Sequence, residues 1–229
     1  MKARIPTEYL KKKIGFLNCK IDLSKKTFIP RIETEYWVRK AIKEIKKELK
    51  DKNKKIKVLD VFAGSGCIGI AILKSIGNSL VDFNDIDKRA IAQIKTNLKL
   101  NEISSKRYRV YKSSFFEKLK GKRYDFIFAN PPYIAKQRVK EVESSVLKYE
   151  PEIALFSGKK GIYHIKRFLK EAKNFLKKNG IIYLEFDPDQ KEEIKHILKK
   201  NKYPYFRFFK DQFRKYRWVK IIYKIQKTW

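Results

Sequence analysis

Apolar residues recur along the chain at two different spacings, and the alternation of these spacings predicts the secondary structure. Short runs rich in Val, Ile and Phe are typical of buried strands, whereas apolar residues three or four positions apart are typical of one helix face. The predicted strands of the main part of the chain are 56–61, 79–84, 107–111, 124–129, 180–186, 203–209 and 216–225. The predicted helices are 33–49, 66–76, 88–100, 161–178 and 190–201, with a loop and a short helix over 134–150.

The order of these elements predicts an α/β fold. Strands that alternate with helices form a parallel sheet through right-handed crossovers. The last two strands have no helix between them, so we expect them to form an antiparallel edge. Residues 14–29 predict a small hairpin whose turn lies at 22–26, and Pro30 ends it. The chain is therefore expected to divide into a lead and β-hairpin over 1–32 and one α/β domain over 33–229.

Length and composition exclude several classes of protein. The chain has 229 residues, of which 43% are apolar, so it is long enough and apolar enough for a folded domain. No apolar run approaches the ~18–20 residues of a membrane span, and the N-terminus lacks the apolar region of a secretory signal. Cys19 and Cys67 are too far apart to suggest a disulfide framework or a zinc site, which predicts a cytoplasmic protein without a metal. His164 and His196 lie in lysine-rich helical stretches and are predicted to be surface residues.

The net charge of +32 favours a polyanionic neighbour such as RNA, a ribosome or DNA. The alternative is that A/T-rich coding, which also enriches Ile and Asn, produced the lysines without selection for binding. The lysines are scattered along nearly every predicted helix rather than gathered in one arm. Composition alone therefore leaves both interpretations open.

The strand at 124–129 ends in the sequence Asn130-Pro131-Pro132-Tyr133. Two prolines cannot continue a central strand, because they donate no ladder hydrogen bond and fix φ. The first proline also keeps Asn130 out of the helical region. Asn130 is therefore expected at the carboxyl end of a strand, where open α/β sheets bind ligands.

Two other strand ends predict a cofactor site. A glycine turn follows the strand at 56–61, and it runs Asp60-Val61-Phe62-Ala63-Gly64-Ser65-Gly66. Glycines there let a ligand approach the backbone, and the helix that follows presents free N–H groups. Asp85 follows the next strand, where a carboxylate can accept hydrogen bonds from both hydroxyl groups of a ribose. Because neither a dinucleotide fingerprint nor a phosphate-binding loop is present, the pair predicts an adenosine-bearing cofactor that needs no phosphate. Phe115 and Phe116 follow the third strand, where each is placed either to cover the base or to pack in the core.

Together, the glycine turn, Asp85 and the Asn-Pro-Pro-Tyr segment resemble the S-adenosylmethionine-dependent methyltransferases of the seven-stranded, Rossmann-like class. The Asn-Pro-Pro-Tyr segment resembles the amino-methyltransferase branch of that class. The resemblance implies a Rossmann-like seven-stranded fold behind a small N-terminal β-hairpin, and S-adenosylmethionine as the cofactor. The cofactor contacts that it implies are Asp60, Phe62, Ala63, Gly64, Ser65, Gly66, Asp85, Phe115 and Asn130.

Three further segments resemble one family in this branch, the HemK/PrmC glutamine methyltransferases of peptide chain release factors. These segments are Phe28-Ile29-Pro30-Arg31-Ile32-Glu33-Thr34-Glu35, Tyr149-Glu150-Pro151, and Lys210-Asp211 with Arg217-Trp218-Val219. The chain also departs from the family pattern: Ile32 replaces a proline, Ser114 replaces an acidic residue, and Phe62 and Arg214 stand where glycine is usual. The resemblance further predicts that the helical N-terminal domain of the family, which helps to hold the release factor, is missing.

The family resemblance implies roles for the residues of the Asn-Pro-Pro-Tyr segment. The Asn130 side-chain oxygen and the Pro131 carbonyl would accept the two hydrogens of a glutamine amide and so orient its nitrogen. Pro132 and Tyr133 would complete this catalytic segment, with Tyr133 as a wall of the pocket. The implied partner is a release factor that presents an exposed Gly-Gly-Gln loop.

Arg31, Glu33 and Glu35 are expected near the mouth of the pocket. An equally simple interpretation is a helix start at which acidic residues complement the helix dipole.

Two other functions are compatible with parts of the sequence. A nucleic-acid amino methyltransferase acting on adenine or guanine would share the Asn-Pro-Pro-Tyr chemistry and would extrude its target base. It would leave the three glutamine-family segments unexplained. A non-catalytic RNA-associated protein with a decayed methyltransferase fold would explain the charge, but not the presence of Asn130, Asp85 and the glycine turn.

Overall fold

A computed structural model describes residues 4–49 and 54–223 of the chain. The strands in this part are β1 Lys13–Phe16, β2 Cys19–Asp22, β3 Ile56–Val61, β4 Ser79–Asp85, β5 Tyr108–Lys112, β6 Tyr124–Ala129, β7 Leu176–Glu185, β8 Tyr205–Lys210 and β9 Tyr216–Tyr223. The α-helices are α1 Thr7–Lys11, α2 Ile32–Glu48, α3 Cys67–Ser75, α4 Lys88–Leu100, α5 Ser144–Tyr149, α6 Glu152–Leu155, α7 Tyr163–Glu171 and α8 Lys191–Lys200.

Seven of these strands form one sheet in the order β5-β4-β3-β6-β7-β9-β8. The strands β3 to β7 pair in parallel, whereas β9 runs antiparallel to both of its neighbours, β7 and β8. The predicted α/β fold class and its antiparallel edge are therefore confirmed. The last two residues of the strand predicted over 216–225 lie outside the described residues. No helix in 4–49 or 54–223 is both long enough and apolar enough to cross a membrane.

Each face of the sheet carries its own apolar core, and β6 shows how one strand serves both. Phe126 and Phe128 belong to the core that contains α2, α3, α4 and the β1–β2 hairpin. Ile127 and Ala129 point the other way, into the core beneath α7 and α8. This alternation follows from the strand period of two residues. β6 is therefore apolar on both sides. It ends at Ala129, and Asn130 follows at the edge where the candidate site lies.

The hairpin β1–β2 turns at a different place from the predicted one. Its register pairs Lys13 with Asp22 and Phe16 with Cys19, so the turn falls at Leu17 and Asn18 rather than at 22–26. Leu17 has a φ of 52°. Turns with positive φ are usually predicted from glycine or asparagine, so a leucine there gives no sign of the turn. Asp22 instead fastens the hairpin to α4, because its Oδ1 accepts hydrogen bonds from Ser24 and from the Gln93 side chain.

The helix predicted over 161–178 is shorter than expected. It ends at Glu171, a 3-10 turn follows over Ala172–Phe175, and β7 begins at Leu176 instead of at Gly180. The Phe175 ring stacks on Phe116 with 4.4 Å between ring centroids, which draws the chain onto the sheet before the glycine. Local periodicity could not reveal this tertiary contact.

Candidate active site

A cavity of about 330 Å³ opens at the carboxyl ends of β3, β4 and β6. Most of the residues that the sequence suggests for the site line this cavity. They are Arg31, Phe62, Ala63, Gly64, Ser65, Asp85, Phe115, Asn130, Pro131, Pro132 and Tyr133. Five suggested residues do not line it: Asp60, Gly66, Phe116, Glu33 and Glu35.

The glycine turn between β3 and α3 forms one wall. Phe62, Gly64 and Gly66 all have positive φ, at 61°, 54° and 79°. A Cβ atom built on Gly64 would meet nothing within 4 Å, so the backbone there borders open space. Phe62 keeps the left-handed conformation although it is not glycine, and Arg214, the other departure of this kind, has a φ of 63°. At both positions the backbone therefore has a conformation that glycine favours, although the residue is not glycine.

Asp85 connects the turn to the end of β4. Its Oδ2 accepts a hydrogen bond from the Gly64 N–H at 2.8 Å, and its Oδ1 accepts one from the Asp87 N–H at 2.9 Å. Burial raises the pKa of this carboxyl, and the two backbone N–H groups counteract the rise. Each oxygen keeps a second lone pair, and the residue lines the cavity. The carboxylate and the open backbone at Gly64 fit a ribose-bearing cofactor such as S-adenosylmethionine.

Asp60 lies beneath the turn rather than in the cavity. It is 1% exposed, and its Oδ2 accepts a hydrogen bond from the Gly69 N–H of α3 at 2.9 Å. Its other oxygen has no partner among the described residues. Burial, with a smaller contribution from Asp85, raises the pKa of Asp60 to about 8. Asp60 therefore supports the turn from below, without contacting the cavity.

Aromatic rings close another side of the cavity. The Phe62 and Phe115 rings meet edge to face at 5.3 Å, and the Arg167 guanidinium lies 4.1 Å from the Phe115 centroid. Phe116 is different, because it is 1% exposed and stacks on Phe168 and Phe175 in the core. Of the two phenylalanines after β5, the structure therefore brings only Phe115 to the site.

His164 also belongs to this wall, and its predicted surface position is wrong. The residue is half-buried because α7 begins at Tyr163 and turns its first residues toward the cavity. Its ring stacks on Phe115 at 5.8 Å, and its Nδ1 lies 2.8 Å from Ser157 Oγ. Burial, followed by the charge of Arg167, lowers the pKa of His164, which favours a neutral ring at neutral pH. The helical spacing of the sequence gave no sign of this.

The Asn-Pro-Pro-Tyr segment forms a further wall of the cavity. Asn130 Nδ2 donates a hydrogen bond to Thr34 Oγ1 at 3.3 Å, and Tyr133 OH donates one to Glu185 Oε1 at 3.1 Å. Glu185 also accepts hydrogen bonds from Thr34 Oγ1 at 2.7 Å and from Trp37 Nε1 at 2.6 Å. Sequence reasoning did not single out Thr34 or Glu185. Their importance arises only when the start of α2 meets the end of β7.

Of the three charged residues expected at the pocket mouth, only Arg31 is there. It forms an ion pair with Glu150. Glu35 pairs instead with Arg39 on the outside of α2, and Glu33 lies in the first turn of that helix. The two glutamates therefore suit the helix-start interpretation better than the pocket-mouth one.

A family model described as the methyltransferase small domain matches residues 42–152. The ribosomal protein uL3 glutamine methyltransferase of Francisella tularensis subsp. tularensis is 33% identical over 187 residues, which cover 82% of this chain and 58% of the relative. The release factor glutamine methyltransferase of Lactococcus lactis subsp. lactis is 32% identical over 189 residues, which cover 82% of this chain and 66% of the relative. The chain thus spans about two thirds or less of the length of these two relatives.

Solved structures share the fold at low sequence identity. A methyltransferase from Pyrococcus furiosus has a TM-score of 0.64 and 15% identity, and the match covers 95% of this chain and 94% of that one. A ribosomal protein L11 methylase from Lactobacillus delbrueckii subsp. bulgaricus has a TM-score of 0.57 and 19% identity, over 86% of this chain and 79% of that one. These likenesses show the Rossmann-like fold alone.

Proposed function

The chain belongs to the HemK/PrmC family of S-adenosylmethionine-dependent methyltransferases, and from this premise we propose that it methylates the side-chain amide nitrogen of a glutamine in a peptide chain release factor. One observation carries the proposal. The Asn-Pro-Pro-Tyr segment and the Asp85–Gly64 pair line the same cavity, so the groups proposed to bind the amide and the ribose face one space. The names of several relatives, among them the one from Lactococcus lactis, support a release factor as the substrate.

The residues that would hold the cofactor are Asp85, through the ribose hydroxyls, and the backbone from Phe62 to Ser65. When bound, S-adenosylmethionine supplies an activated methyl group. The role of the chain is to place an acceptor nitrogen in line with that group and to exclude water. The apolar and aromatic wall of Phe62, Phe115 and Tyr133 would exclude water. A site of low polarity also favours loss of the sulfonium charge during transfer.

Asn130 and Pro131 would place the acceptor. A glutamine amide is a weak nucleophile because its nitrogen lone pair is delocalised into the carbonyl. Acceptance of its two hydrogens by Asn130 Oδ1 and the Pro131 carbonyl fixes the nitrogen and draws electron density onto it. No general base is needed at the outset, because methylation itself makes the nitrogen more acidic, and the nitrogen then loses one hydrogen as a proton to water.

A transfer assay with tritiated methyl groups tests the proposal. Release factor, ribosomal protein uL3 and RNA are offered side by side to the wild-type chain. We expect label on the release factor, and none when the glutamine of its Gly-Gly-Gln loop is replaced by alanine. Label on uL3 alone would mean that the substrate is the ribosomal protein in the name of the Francisella relative. Label on RNA alone would favour a nucleic-acid amino methyltransferase.

Asn130→Ala serves as the catalytic control. Loss of one orienting acceptor typically costs ~10²–10³ in rate. Cofactor affinity should stay within a few-fold, because Asp85 and the glycine turn are untouched. Turnover close to wild type would mean that Asn130 does not orient the acceptor.

A further inference from the structure

Glu185, at the end of β7, is the centre of a buried network under the Asn-Pro-Pro-Tyr segment. It is 1% exposed, and it accepts hydrogen bonds from Thr34, Trp37 and Tyr133 at 2.7, 2.6 and 3.1 Å. The residues that surround this carboxylate therefore act as donors toward it. A buried carboxylate needs such donors, because an unpaired one would be strongly destabilising.

The position of the Thr34 hydroxyl hydrogen determines whether Thr34 can donate or only accept a hydrogen bond on its other side. A threonine hydroxyl has one hydrogen and two lone pairs. At 2.7 Å from a carboxylate oxygen, the hydrogen of Thr34 is given to Glu185. Only lone pairs of Thr34 Oγ1 remain, so its second neighbour must be a donor.

That second neighbour is the amide of Asn130, at 3.3 Å. An asparagine amide has a donor end and an acceptor end. With the oxygen turned to Thr34, two acceptors would face each other without a hydrogen between them. The NH2 group must therefore point to Thr34, and the amide oxygen is the end that faces the cavity, which Asn130 lines.

We propose that Thr34 is a positioning residue, which fixes the side-chain amide of Asn130 with its oxygen toward the acceptor site. Glu185 contributes indirectly: it accepts the hydroxyl hydrogen of Thr34, so that Thr34 can only accept a hydrogen bond from Asn130. The inference rests on the proposed function in that the oxygen is needed to accept a hydrogen of the substrate amide. These two contacts give Thr34 a role that neither its position inside α2 nor its burial would suggest.

The first test compares substitutions of Thr34. Thr34→Val keeps the shape but removes the acceptor, so kcat should fall roughly 10- to 100-fold while cofactor affinity is unchanged. Thr34→Ser keeps the hydroxyl and should restore most of kcat. Trp37→Phe is the matched control, because it removes another donor from Glu185 and leaves the Thr34–Asn130 contact in place. Trp37→Phe should lower the melting temperature, but it should lower kcat much less than Thr34→Val does.

A double-mutant cycle separates positioning from general damage. If Thr34 acts through Asn130, then Thr34→Val should have no further effect on kcat in the Asn130→Ala background. Equal losses in both backgrounds, or a Thr34→Ser variant as slow as Thr34→Val, would overturn the proposal.

A measurement without substrate keeps this inference distinct from the proposed function. The side-chain NH2 signals of Asn130 are assigned in an NMR spectrum by their absence from Asn130→Ala. They should move in Thr34→Val and stay in place in Thr34→Ser. If the wild-type chain methylates no release factor, the proposed function fails while this result still decides the orientation. Signals that are the same in all three proteins would refute the Thr34 contact.

Discussion

Arg31 and Glu150 are joined by an ion pair of 2.5 Å, although 119 residues separate them in the chain. The Glu150 side chain is fully buried, and its second oxygen accepts a hydrogen bond from the Ile29 N–H at 3.1 Å. The loop before α2 and the segment after α5 are thereby fastened together at the cavity. This contact gives a physical reason for the co-occurrence of the first two family-like segments, since each supplies one half of the clamp.

Loss of this clamp should destabilise the fold. Glu150→Ala leaves the Ile29 N–H and the Arg31 guanidinium without their acceptor, and we expect a loss of about 2–3 kcal/mol in the free energy of unfolding. Urea denaturation measures it. Glu35→Ala is the matched control, because its ion pair with Arg39 is exposed and should contribute less than ~1 kcal/mol. Equal losses for the two variants would mean that the Glu150 contact is no stronger than a surface pair.

The second prediction concerns cofactor binding by Asp85. Asp85→Ala should weaken S-adenosylmethionine binding by roughly 1.5–3 kcal/mol, because two charge-assisted hydrogen bonds to the ribose are lost. Isothermal titration calorimetry gives the dissociation constant. Asp82→Asn, on the same strand, contacts Tyr124 and Lys122 instead of the cavity and should leave the constant unchanged. An unaltered constant in Asp85→Ala would remove this residue from the cofactor site.

The third prediction concerns the strained turn at Phe62. An L-residue in the left-handed region is typically less stable there than glycine by about 1 kcal/mol. Phe62→Ala removes the ring but keeps the backbone strain, whereas Phe62→Gly removes both the ring and the strain. We therefore expect Phe62→Gly to be more stable than Phe62→Ala by about 1 kcal/mol in urea denaturation.

Arg214 provides the control for the Phe62 comparison. It is exposed in the loop between β8 and β9 and has a φ of 63°. Arg214→Gly should exceed Arg214→Ala in stability by a similar amount, at a residue that does not line the cavity. If alanine and glycine are equivalent at both positions, neither backbone is strained.

Sequence patterns predicted the features that depend on short stretches of chain. The buried strands β3, β4 and β6 could be predicted because each is a short stretch rich in Val, Ile, Leu or Phe. The turn after β3 could be predicted because Gly64 and Gly66 are separated by only one residue. The carboxyl ends of neighbouring parallel strands meet, so Asp85 and Asn130 could be expected at the same edge of the sheet.

Features that arise from contacts between distant segments could not be predicted. Glu185 lies in an apolar strand, and nothing around it in sequence indicates that Thr34, Trp37 and Tyr133 will surround it. His164 looked like one of many polar residues on a lysine-rich helix. Its burial depends on Phe115, which comes from another strand end. The turn of the β1–β2 hairpin was misplaced because Leu17 carries no turn signal, although it occupies a left-handed conformation.

The fourth prediction separates the two explanations of the net charge of +32. If the lysines attract an acidic partner over long range, they raise the association rate more than the lifetime of the complex. Such attraction is screened over ~8–10 Å at physiological ionic strength. The ratio kcat/KM on the release factor should then fall steeply from low to moderate salt, while kcat at saturation hardly changes. A shallow salt dependence of kcat/KM would favour coding bias.

The fifth prediction is a pH dependence of stability that arises from Asp60. Its pKa is raised to about 8 in the fold by burial, with Asp85 adding to the rise, whereas an unfolded chain has the ordinary value of 3.8. Between about pH 4 and pH 8 the folded state therefore binds more protons at this position than the unfolded state. By linkage, the contribution of Asp60 to stability is fully present below the unfolded pKa and is lost as the pH rises through 8.

Asp60→Asn removes this titration while keeping an oxygen that can accept the Gly69 N–H. Melting temperatures of the two proteins without cofactor, taken from pH 5 to pH 9 at constant salt, give the comparison. Other titrating groups are common to both proteins and cancel in the difference. We expect the variant to gain stability relative to the wild type as the pH rises. Only the wild type must then ionise a carboxyl that is 1% exposed and has one oxygen without a partner within 4–49 and 54–223. Parallel pH profiles would show that Asp60 is already ionised in the fold at pH 5.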